Sequence, residues 1–148
     1  MIRALLIAAT AMMAVTASAQ AAPSVQAAWS RPASQGTTGA GFMVLVNAGA
    51  KPDALVAVES MGARQVQIHQ SSVSGGMASM KMVTSVPIPA GGRVSFVPGG
   101  YHLMFMGLTK AQKVGDSLPA TLVFASGARI KAVFAVGLKA PDNSHAGH

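Results

Sequence analysis

Two histidines and a group of methionines stand on short apolar runs in the middle of the chain. His69 closes "QVQIH", Met80 and Met82 lie in "SMKMV", and His102 and Met104 lie in "YHLMFM". If these runs are strands, their side chains alternate between faces, so His102, Met104 and Met106 point one way and Tyr101, Leu103 and Phe105 the other. The same rule groups His69 with Gln65 and Gln67, away from Val66 and Ile68, and puts Met80 and Met82 together opposite Lys81. Neutral imidazoles and thioethers form a soft donor set without negative charge, which suits Cu(I) far better than Zn(II), Mg(II) or Ca(II). A thioether also remains a ligand in an oxidising compartment, where paired thiols tend to close into a disulfide.

The rest of the inventory removes competing chemistries. The chain has no Cys, which excludes a disulfide framework, a zinc-thiolate site, a Cys nucleophile and a Cys-based blue-copper centre. Its only carboxylate side chains, Asp53, Glu59, Asp116 and Asp142, are not paired at short spacing, so paired-carboxylate hydrolysis and hard-metal cages have little to build on. With no Ser/His/Asp arrangement either, the reading is of a protein that is not an enzyme. Eleven Lys and Arg against four acids give a formal charge of +7. These charges are scattered and only seven residues are aromatic, which argues against nucleic acid and for a mild preference for acidic partners. Not every Met belongs to a site: Met43, Met61 and Met106 read as gap-fillers of a core, Met106 because it lies deeper along its strand than His102 and Met104.

Such a site needs elements to hold it, and the chain supplies strands. Residues 1–19 combine a positive start at Arg3, an apolar run and the small-x-small end Ala17-Ser18-Ala19, which is the pattern of a signal peptide for export to the periplasm. No later stretch is apolar for long enough to span a bilayer, so no stable membrane insertion is expected. Residues 20–137 form the expected domain. Nine strand-length runs, from "VQAAW" to "RIKAVFAV", are punctuated by Gly and Pro, and "PIPAGG" and "VPGG" read as turns. This spacing predicts an all-β sandwich or barrel. Residues 138–148 read as a flexible tail whose His145 and His148 offer a weak site for Cu(II) or Zn(II).

The order His69, ten residues, Met80, twenty-one residues, His102, one residue, Met104 resembles the H-x10-M-x21-H-x-M signature of the periplasmic PCuAC copper chaperones. "IPAGGRVSFVPGGYHLMFMGL" is similar to that family's stretch through the second histidine. The resemblance implies a cupredoxin-like Greek-key β-sandwich in which His69, Met80, His102 and Met104 hold one Cu(I). It also implies delivery towards the Cu(A) site of cytochrome c oxidase, through its subunit II or a Sco-type assembly factor, and in some members a second copper, as Cu(II), on a C-terminal extension. The chain departs from the pattern where Gln70, Ser71 and Ser72 follow the first histidine, a place where many members carry another Met. Met82 shares a face with Met80 and stays open as its substitute. Copper buffering, or a secreted sandwich that uses its Met-rich edge as a contact surface, are the alternatives to delivery.

Overall fold

The computed structural model describes residue 14 and residues 21–141. The proposed signal segment, apart from residue 14, and the tail histidines His145 and His148 lie outside the described residues.

The described chain is all β: β1 (Ser24–Ser30), β2 (Gly39–Val46), β3 (Asp53–Glu59), β4 (Ala63–Ser74), β5 (Met77–Val83), β6 (Val86–Ile88), β7 (Arg93–Phe96), β8 (Tyr101–Leu108), β9 (Ser117–Phe124) and β10 (Arg129–Val136). Their hydrogen-bonded order is β5-β4-β8-β2-β1-β10-β9-β3-β6, with β7 also on β2. This ladder folds over on itself into a cupredoxin-like β-sandwich, and β1 makes the corner. Ser24 to Gln26 pair with β2, a bulge follows, and Trp29 and Ser30 then pair with both β2 and, in parallel, β10. At the bulge Ala27 takes φ 52°, a left-handed conformation that an L-residue adopts only when its neighbours enforce it.

Nine of the ten strands coincide with the runs expected from sequence. The exception is β6, which overlaps the start of the segment read as the turn "PIPAGG". Val86 and Ile88 are fully buried and pair with β3, while Pro87 sits on an edge strand, where its missing N–H costs little.

The core lies between the layers. Leu103 and Phe105 of β8 are fully buried, as is Phe134 of β10, and the Phe105 and Phe134 rings meet edge to face at 5.3 Å. Gly41 on β2 is what lets Phe105 lie flat there, because a Cβ at that position would come within 2.6 Å of the ring. Gly41→Ala is therefore expected to lower stability by about 1–3 kcal/mol through overpacking. A urea melt checks this, and an unchanged midpoint would refute it.

Two turns then fix the strands that carry the candidate ligands. Gly75 and Gly76 join β4 to β5 with φ 58° and 77°, the double left-handed turn that a two-residue hairpin demands. Before β8, the Gly100 N–H donates to the Val97 carbonyl at 2.9 Å across Pro98 and Gly99, and Gly99 has φ 86°. Proline first and a left-handed glycine second is a type II turn, so "VPGG" delivers His102 two residues later in a fixed register.

Candidate metal centre

Strands β5, β4 and β8 form one continuous platform. His69 stands directly opposite His102 on β8 and directly opposite Met82 on β5. One step along, Ser71 faces Met80; one step the other way, Gln67 faces Met104, and beyond it Gln65 faces Met106. Residues opposed across a ladder share a face. His69, Met80, Met82, His102, Met104 and Met106 therefore all project from the side away from Ile68, Leu103 and Phe105, which fill the core.

His102 is the most sheltered of the group, only 7% exposed, whereas Met80 and Met82 on the edge strand are more than half exposed. The His102 Nδ1–H donates to the Gly100 carbonyl at 3.1 Å, and the same carbonyl accepts the Ser71 N–H at 3.0 Å. A carbonyl can only accept, so the proton of the neutral ring sits on Nδ1 and Nε2 keeps its lone pair. That bare Nε2 lies 3.0 Å from the Met80 sulfur. Two electron-rich atoms facing each other have no proton to share, and a soft cation between them would satisfy both.

His69 is arranged differently. Its Nε2 meets the Gln67 Oε1 at 2.9 Å, and its Nδ1 is buried without a partner. Its ring lies 5.8 Å from that of His102. Burial, and then the neighbouring His102, hold the His69 pKa below the ordinary imidazole range. The ring therefore stays neutral, and available as a donor, to a lower pH than a free histidine would.

The structure thus brings together all four residues of the spacing pattern, with Met82 beside them. Among the described residues no three His, Cys, Asp or Glu side chains gather in a metal-holding group. The donors on this face are soft and uncharged, a set whose chemistry suits a soft cation such as Cu(I) and disfavours hard cations.

Of the three methionines read as core fillers, one is core and two are not. Met43 is core, at 1% exposure. Met61 is not: it stands 93% exposed on the turn between β3 and β4. Nor does Met106 enter the core; it is half-buried on the His/Met face beside Arg64, because alternation, not depth along the strand, decides which side it takes. Gln67 was grouped with His69 by alternation but its bond to the ring was not anticipated. Arg31 was missed entirely. It reaches the site from the end of β1, on the wall of a 220 Å³ cavity shared with His102 and Met104.

Comparisons with known proteins bear on the fold that carries this face. A copper-bound PCuAC domain from PmoF2 superposes with a TM-score of 0.65 at 27% identity, over 83% of this chain and 97% of that one. The Cu(I) form of DR1885 from Deinococcus radiodurans gives 0.58 at 31% identity, over 76% of this chain and 77% of that one. In sequence, "Putative lipoprotein Lxx21020" of Leifsonia xyli subsp. xyli is 34% identical over 104 residues, 70% of this chain. The aligned stretch spans 62% of that relative's length. The family model described as "Putative lipoprotein LpqE-like" matches residues 23–136. That match takes in every strand from β1 to β10, and the chain belongs to the LpqE-like family.

Proposed function

We propose that the protein is an exported copper chaperone that holds one Cu(I) through His69, Met80, His102 and Met104 and passes it on for assembly of the Cu(A) site of cytochrome c oxidase. The observation that carries this reading is the bare Nε2 of His102 facing the Met80 sulfur at 3.0 Å, on strands β4, β5 and β8, which carry no thiol or carboxylate. That contact favours Met80 over Met82 as the third donor, while Met82, opposite His69, remains within reach as its substitute. Export is supported by the lipoprotein descriptions of the family and of the relative. Among the described residues no helix is long and apolar enough to cross a membrane.

Delivery is supported by where the donors sit. Met80 is on β5, the last strand of the ladder, so an incoming ligand reaches the copper from outside. Each new bond from the acceptor can form as one chaperone bond breaks. The ion remains Cu(I) throughout and is never free.

X-ray absorption of the copper-loaded protein tests the ligand set. Two sulfur and two nitrogen neighbours are expected, and a shell of nitrogen and oxygen alone would overturn it. Met104→Leu should keep the fold, since Met and Leu exchange at under about 1.5 kcal/mol. Its Cu(I) affinity in a competition titration should fall about tenfold or more, because a ligand matters at least as much as the outer partners whose loss costs about 10–100-fold.

A further inference from the structure

The His/Met face has an apolar rim. Val73, Met80 and Met82 on the β4–β5 hairpin and Val97 in the turn before β8 are all exposed. Beside this rim the 220 Å³ cavity is walled by Arg31, Phe42, Ser71, Pro98, His102 and Met104. Its one charged residue is Arg31. The guanidinium carbon sits 5.3 Å from the centroid of the Phe42 ring, and Phe42 is itself backed by Trp29 at 4.8 Å. Cation–π contact with a supported ring holds this long side chain over the cavity.

No carboxylate answers it among the described residues. Among the described residues the one ion pair is Arg129 with Glu59, and no acidic side chain lines the cavity. Arg31 therefore presents a positioned, unpaired planar cation next to His102 and Met104, on a chain that already carries +7. A guanidinium in this setting is suited to a two-pronged bond with a carboxylate. Exposed Met beside Arg is also the composition enriched in protein interfaces, where thioethers adapt to the surface they meet.

We propose that this rim and cavity are the docking surface for the copper acceptor, and that the acceptor sets a carboxylate on Arg31 beside its own soft copper ligands. The inference rests on the copper reading above. It points to a protein because the occupant must offer two things at once: an anion for Arg31, and soft donors for an ion held by His102 and Met104. The Arg31 contact would speed encounter and fix orientation more than it would tighten the complex. It would also disfavour acceptors whose ligands are flanked by basic residues.

The test uses the full Cu(I)-loaded chain and two synthetic acceptor peptides with the same three methionines, separated by Asp in one and by Asn in the other. Stopped-flow transfer from the wild type should be about tenfold faster to the Asp peptide at low salt, with the advantage shrinking as salt rises. Arg31→Gln should erase the preference, Arg31→Glu should invert it, and Arg31→Lys should keep only part of it. Cu(I) affinity of Arg31→Gln and Arg31→Lys, measured by competition, should change far less than that of Met104→Leu, because a guanidinium has no lone pair to give to copper. Equal wild-type rates to the two peptides, or a preference that survives Arg31→Gln, would overturn the docking proposal while leaving copper binding intact. Failure of the wild type to hold Cu(I) in the competition assay would overturn the copper reading, and the docking proposal with it.

Discussion

His102→Ala is expected to abolish tight Cu(I) binding, with affinity falling about 100-fold or more. His102 stands at the centre of the face: opposite His69 in register, 3.0 Å from the Met80 sulfur, and fixed by its Nδ1–H bond to Gly100. Among the described residues His69 is the one other imidazole, and it already stands in the site as a separate donor candidate. Because the ring is buried, the variant should also lose some stability, so affinity alone is an insufficient readout. Thermal melts with and without Cu(I) separate the two effects. Copper that binds only the folded state raises the wild-type midpoint by an amount set by its ratio to Kd. The variant should melt somewhat lower and show no copper-induced rise; a rise equal to that of wild type would remove His102 from the site. Acid should act in the same direction through His69. Its folded pKa is lowered, so its contribution to stability is complete above the ordinary imidazole pKa and is lost as pH falls through the lowered folded value.

Much of this arrangement was legible in the sequence because a strand has a period of two. Alternation alone set His102 and Met104 on one side and Leu103 and Phe105 on the other, and the structure has them so. What alternation cannot supply is register between strands distant in sequence. That His69 lands opposite His102, and Met82 opposite His69, depends on how β4 pairs with β8 and β5, which no local pattern encodes. Spacing similar to a known family suggested which distant residues to group as candidate donors. It could not do so for Arg31, which lies in the "RPASQG" loop and reaches the site only because the β1 corner brings it there. The strand β6 was hidden for a different reason: three residues around a proline look like a turn, and only the burial of Val86 and Ile88 against β3 makes them a strand. Met61 shows the limit of composition, since a methionine beside a glycine can serve as filler or stand in solvent, and here it stands in solvent.

The second large effect concerns a residue that would not touch the metal. Gln67 precedes His69 by two positions, so both project from the same face, and its Oε1 lies 2.9 Å from the His69 Nε2. An amide oxygen only accepts, which places the proton of the neutral ring on Nε2 and leaves Nδ1 with the lone pair. That Nδ1 is buried and unpartnered. His69 would then donate through Nδ1, whereas His102, with its Nδ1–H held by Gly100, would donate through Nε2. Gln67→Leu removes the acceptor while roughly preserving volume, and should cost about 10–100-fold in Cu(I) affinity, the usual scale for a residue that orients a ligating histidine. Gln67→Glu keeps an acceptor at the same reach and should restore most of the loss. Nitrogen-15 spectra of the imidazoles give a readout that a merely structural role would not move. In the wild type without copper, His69 should be the Nε2–H tautomer and His102 the Nδ1–H tautomer; in Gln67→Leu the His69 signal should shift toward a mixture of the two. A wild-type His69 found as the Nδ1–H tautomer, or copper shifting its Nε2 in place of its Nδ1, would show that Gln67 does not set the donor atom.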